Sequence, residues 1–248
     1  MDSLHHHLLG ALMARFGARL KNRATGSVQI DDLYANMAMR SKATQTTTGT
    51  TEWTYYGANM PVIAIACASP TFVNYVRRDD AANAWIFNLR TNTAGGSASI
   101  TCYEFGDPPA LGPGWGTRIK RGGVVKYDSR HRYARIVTTL RGDLDATAST
   151  GPGVSLPAGK AYAVVMGNMT GRQTRTIIQQ GGTQQGYTDG MASWAFGVSI
   201  SGGAVSSQSI QTYYNSTFIP VPPGPPPPAA YDRRMTQYSW AILDVTNY

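Results

Sequence analysis

From Gly26 onward, large apolar side chains alternate with polar ones in short runs, and most runs end at Gly, Asn, Asp, Ser or Pro. In Trp85-Ile86-Phe87-Asn88-Leu89-Arg90 the odd positions are large and apolar, the period of a half-buried strand. Asn92-Thr93-Ala94-Gly95-Gly96 then turns the chain toward Ile100-Thr101-Cys102-Tyr103. The same pattern predicts strands near 27–33, 35–42, 52–56, 61–67, 71–77, 84–90, 98–105, 116–121 and 123–128. Further strands are expected near 133–140, 160–166, 174–179, 192–201, 204–213 and 237–246. Short strands repeating between Gly-rich turns predict an all-β fold, an antiparallel β-sandwich, either one large or two packed. Strands 61–105 are expected to form one half, and 116–140 with 160–246 the other.

The ends of the chain read differently. Over residues 2–23, Leu4, Leu8, Leu12, Phe16 and Leu20 recur at helical spacing, with Asp2 or Ser3 as cap. Arg15, Arg19, Lys21 and Arg23 gather at the far end, where cations suit the helix dipole. This predicts an N-terminal amphipathic helical arm over 1–25. Gly10 and Gly17 weaken it in isolation, so it is expected to dock its stripe, Leu8, Leu12 and Phe16 included, on a neighbouring subunit or its own sheet. Residues 26–219 form the body, with a subdivision expected near 107–114, where Pro and Gly stiffen the connection. Residues 220–230 are a polyproline linker, a Pro-rich C-terminal arm that leads to a closing or donated strand over 231–248. If that strand is donated, Trp240, Ile242 and Val245 are its subunit contacts.

Composition narrows the function. Charged residues make up only 15% of the chain and hydrophobic ones 42%, which excludes a helical bundle and general disorder alike. The net charge of +8 is concentrated between Arg118 and Arg141, where eight basic residues face the single acid Asp128. Without a nucleic-acid recognition motif, this stripe suits an acidic subunit or a solvated strand face better than nucleic acid. Cys67 and Cys102 sit in apolar strand-like runs and are expected as buried free thiols. No run approaches the roughly 20 apolar residues of a transmembrane helix.

The chemical inventory is thin. His131 is the one histidine outside the His5-His6-His7 triplet, and Asp128 stands three residues before it. The Asp pairs 31–32, 79–80 and 143–145 fall in expected turns, where Asp bonds local backbone. No enzymatic activity and no cofactor are expected. Imidazole suits iron, nickel or zinc, so His5 and His7 are weak metal candidates. A loop of Gln179-Gln180-Gly181-Gly182-Thr183-Gln184-Gln185-Gly186-Tyr187 has the polarity of a ligand loop, with Tyr213 and Tyr214 as candidate additions to it. Trp53, Trp85, Trp194 and Trp240 occupy strand-like positions that belong to a core.

Three stretches carry a family likeness. Gly122-Gly123-Val124-Val125-Lys126-Tyr127-Asp128-Ser129-Arg130 reads as a glycine turn and a strand that stops at Asp-Ser. It resembles the corresponding hairpin of small tail-tip and baseplate proteins of long-tailed bacteriophages. Ser27-Val28-Gln29-Ile30-Asp31-Asp32-Leu33-Tyr34 is similar to their first strand, and Ser239 to Tyr248 to their closing strand. The resemblance implies a structural virion component, assembled in the host cytoplasm, often three-fold symmetric (a homotrimer), with other tail proteins as partners and a part in meeting a host cell-surface polysaccharide or receptor. Phage tips that pierce membranes use a His-x-His pair for metal, although here the pair lies in a helical context. The alternative is a free-standing carbohydrate-binding β-sandwich adhesin.

Overall fold

The computed structural model describes residues 19–21, 28–31, 37–144, 148–168, 170–180, 186–220 and 229–248. Every regular element in these residues is a strand, and the strands pair antiparallel. The chain is all-β, as its alternation predicts. Among the described residues no helix is long and apolar enough to cross a membrane. Residues 2–18 of the expected helix, Leu8, Leu12 and Phe16 with them, lie outside the described residues. Its last turn is not helical: Arg19–Lys21 is strand β1, paired with β2 (Val28–Asp31). The polyproline run over 221–228 also lies outside the described residues.

The chain divides into two compact units. The smaller takes Met1–Met39 and Asp107–Tyr133, the larger Arg40–Gly106 and Ala134–Tyr248. Residues 26–219 thus contribute to both units, and distant segments build each of them, an arrangement that local composition does not encode.

The larger unit holds two antiparallel sheets in a sandwich-like arrangement. The six-stranded sheet runs β11 (Ile136–Asp143), β18 (Gln237–Asp244), β13 (Tyr162–Met166), β5 (Val62–Cys67), β8 (Ala98–Gly106) and β3 (Ala38–Thr47). The eight-stranded sheet includes β12 (Val154–Ser155), β16 (Ala204–Pro220), β15 (Gly186–Ser201), β6 (Thr71–Asp79), β7 (Ala84–Thr91) and β4 (Thr50–Tyr56) in that order. Of its other two strands, β14 (Gly171–Gln180) branches from β15 and β17 (Tyr231–Met235) pairs with β14. The expected halves are thus corrected: β5 and β8 lie in one sheet and β6 and β7 in the other, because consecutive strands cross between layers.

Alternation makes this packing work. Trp53, Phe87 and Leu89 of one sheet meet Ile63, Ile65 and Ile100 of the other in one core cluster. A second cluster sets Phe196, Val198 and Val205 against Val164, Trp240 and Ile242. β18 lies between β11 and β13 of its own chain. Trp240, Ile242 and Val245, expected as subunit contacts, are buried there, with 1%, 0% and 2% exposure. In this chain they pack against its own strands, because β18 has an inner place in the sheet.

The remaining tryptophans divide. Trp53 is buried, whereas Trp85 and Trp194 are half-buried beneath the guanidinium groups of Arg78 and Arg172, 5.2 and 5.7 Å from their rings. Cys67 and Cys102 are free and buried, and burial pushes the Cys102 thiol up to about 12, with the Glu104 charge and Cys67 adding to it. Since the thiolate is the reactive form, both cysteines are expected to resist a thiol reagent in the native protein. Two thiols should titrate after denaturation; rapid reaction of either in buffer would contradict the burial.

Candidate functional site

In the smaller unit, β9 (Arg118–Arg121) and β10 (Val124–Asp128) form the expected hairpin. Gly122 and Gly123 take φ of +57° and +80°, the left-handed conformation that the tight turn requires. Gly123→Ala is expected to weaken the hairpin by about 1 kcal/mol. Gly122→Asn should cost less, because asparagine tolerates this conformation. Hydrogen exchange at Lys120 and Val124 would measure both.

Asp128 ends the hairpin and organises the residues on either side of it. Its side chain is 4% exposed, and its carboxylate accepts from Arg118 Nε at 2.7 Å and from Arg130 Nε and Nη2 at 2.9 and 2.7 Å. The Arg130 amide also donates to it, at 3.1 Å, while the Asp128 amide donates to the Tyr133 hydroxyl at 2.7 Å. Tyr133 stacks on Tyr127, with centroids 4.9 Å apart, and His131 meets Tyr133 edge-on. The Arg130 guanidinium chiefly, against the opposing effect of burial, holds the Asp128 carboxyl well below the usual range, and the Arg130 amide and Arg118 add to this. The carboxylate therefore serves a fork of two arginines, and His131 contributes packing. Two members of the basic stripe, Arg118 and Arg130, are taken up here. In the larger unit Arg135 pairs with Asp244 at 3.3 Å.

Of the acidic pairs, 79–80 sits at a turn, while Asp31 and Asp143 are the last residues of β2 and β11. Asp79 accepts from the Ala82 amide and Asp80 pairs with Arg78. Asp32 and Asp145 lie outside the described residues, as do His5 and His7. Among the described residues, no group of three His, Cys, Asp or Glu side chains is placed to hold a metal ion.

The three tyrosines expected at a ligand loop do not converge. Tyr213 and Tyr214 are adjacent on β16 and exposed, so their side chains leave opposite faces of the strand. Tyr187 pairs with Ile219, six residues from Tyr213, or about 20 Å along the strand. What unites the region is instead the ribbon itself. β15 pairs β14 over residues 186–195 and then meets β6 at Val198. Its few charges pair across strands, Arg175 with Asp189 and Arg172 with Asp232.

Sequence reasoning missed two features. Trp115 is fully exposed in the smaller unit; its signal was a tryptophan set between glycines beside a Pro-Gly turn. The second is a groove of about 550 Å³ in the larger unit, between β3 and β4, which end the two sheets. At its floor Glu104, only 6% exposed, accepts from Trp53 Nε1 and from Ser41 Oγ, both at 2.5 Å. Thr51 Oγ1 donates to Gln45 Oε1 at 2.9 Å along the same cleft. Tyr55, on the Trp53 face of β4, completes the wall, while Tyr56 turns to the other face with 73% of its surface exposed. Where β5 and β8 supply isoleucines to the core, β3 supplies Ser41, Ala43 and Gln45, so the apolar filling stops and a polar cleft opens. Strand alternation alone does not reveal this, since Ser41, Trp53 and Glu104 are far apart in the chain.

No protein-family model, no curated protein and no solved structure matches this chain.

Proposed function

We propose that the chain is a structural subunit of the tail tip or baseplate of a long-tailed bacteriophage, assembling with other tail proteins and taking part in host-surface attachment. The observation that carries this reading is the Asp128 clamp. The Gly-Gly turn and the Tyr-Asp-Ser-Arg run that bear the family likeness are the residues around which the smaller unit is ordered. A motif with so specific a structural task is a stronger mark of kinship than a generic hairpin. The ribbon of β14, β15 and β16 supports an assembly role, for it carries exposed Ile178, Tyr213 and Tyr214 with few charged side chains. The finer fold reading, a β-sandwich body with an N-terminal helical arm and a Pro-rich arm, goes with it.

The test is immunogold labelling of intact particles of the encoding phage with antibody raised against the purified chain. Gold at the tail end distal to the head is the expected result, and particles without tail labelling overturn the proposal. Light scattering of the purified protein is expected to give three times the 26.7 kDa of one chain. A monomer would remove the self-trimer and leave a subunit that needs other tail proteins.

A further inference from the structure

We propose that the groove between β3 and β4 is a binding site for a neutral saccharide. The inference rests on the groove's own chemistry and adds a ligand to the assembly role above.

The ligand class follows from the hydrogen-bonding capacity of the walls. Glu104 is an acceptor-only carboxylate; Trp53 donates to one of its oxygens and Ser41 to the other, and each oxygen keeps a further lone pair. Whatever binds there must bring proton donors. The Ser41 hydroxyl, having donated to Glu104, offers only acceptor capacity, while the Gln45 carbonyl is engaged by Thr51 and its amide nitrogen points to donor use. Donors and acceptors thus alternate along one cleft. A hydroxyl group, which donates and accepts at once, meets both requirements, and a polyol ring carries several.

The aromatic wall selects a ring over a linear polyol. Tyr55 lies along Gly57, where a Cβ would fall 2.6 Å from its ring, so this glycine is what lets the ring lie flat against the chain. Tyr55 is two residues from Trp53 on β4 and so shares its face, while Tyr56 turns to the other face. The C–H faces of a pyranose pack on such rings while its hydroxyls reach the polar floor. The Glu104 carboxylate disfavours acidic sugars, since it would repel a second carboxylate brought beside it. The volume, about 550 Å³, lies in the ~300–1,000 Å³ range of small-molecule sites.

The experiment titrates the isotope-labelled full chain with neutral oligosaccharides of glucose, galactose, mannose and rhamnose, following the Trp53 indole N–H by NMR, assigned with Trp53→Phe. Saturable movement of that signal by at least one series is expected. Tyr55→Ala, at a half-buried side chain on the Trp53 face of β4, should weaken the interaction about tenfold, which corresponds to ~1.4 kcal/mol. If no oligosaccharide moves the signal, or if Tyr55→Ala leaves the affinity unchanged, the proposal is overturned. The outcomes separate cleanly from those above. Tail labelling without saccharide binding sinks the groove alone, and saccharide binding by a chain absent from tails sinks the tail reading alone.

Discussion

Replacing Trp240 by alanine is expected to destabilise the larger unit by about 3–5 kcal/mol, the usual cost of deleting a buried indole. Trp240 is 1% exposed on a strand hydrogen-bonded on both sides, paired with Leu140 of β11 and Met166 of β13. Its ring packs at 4.9 Å from Tyr238 and in the cluster with Phe196 and Val198. The sheet backbone holds the cavity walls apart, so the site collapses poorly and the cavity term adds to the lost transfer energy. At roughly 2–4 °C per kcal/mol for a chain of this size, the thermal midpoint should fall by about 10 °C. Tyr214→Ala, at an exposed ribbon position, should stay within about 0.5 kcal/mol of the native protein. Calorimetry or urea unfolding of the two variants checks the assignment, and a Trp240→Ala loss below about 1 kcal/mol would be incompatible with the core described.

Acid should undo the smaller unit through Asp128. Its carboxyl is held below the ordinary range in the folded chain, chiefly by Arg130. A group with a depressed folded pKa stabilises fully above its unfolded value, near about 4 for aspartate, and that contribution fades as pH falls below it. Amides of β9 and β10 are therefore expected to lose hydrogen-exchange protection on acidification from about pH 4 downward. Asp128→Asn should lose protection already at neutral pH, because it leaves Arg118 and Arg130 beside each other without the carboxylate that joins them. The variant should then show little further change with acid. Equal acid sensitivity in the variant and the native protein would mean that another group controls the unit.

Much of the strand content was legible because period-two alternation is a local property. β5, β7 and β8 follow directly from Val62–Cys67, Ala84–Thr91 and Ala98–Gly106, each an apolar run bounded by turn residues. The hairpin turn was legible for the same reason, since only glycine enters left-handed backbone without cost. The helix over 2–23 went wrong at its end: Leu20 suits a helical stripe, yet β2 offers Arg19–Lys21 a strand partner. A pairing preference of this kind leaves no mark on the spacing of apolar residues. The same holds for β18, whose apolar face fits a donated strand and an inner strand equally well until β11 and β13 are seen to flank it.

By itself, then, the amino-acid sequence determined that this is an all-β chain of short strands, with a glycine hairpin, buried thiols and a basic stretch opposed by one aspartate. Alternation, turn chemistry and charge are carried by neighbouring residues, and neighbours suffice to read them. Only the tertiary structure decided how the strands divide between sheets, that Asp128 serves two arginines rather than His131, and that Trp240 faces its own core. It alone assembled Ser41, Trp53 and Glu104 into one polar cleft. These are pairings between residues distant in the chain, chosen by which apolar faces can be buried together and which polar groups must then find partners.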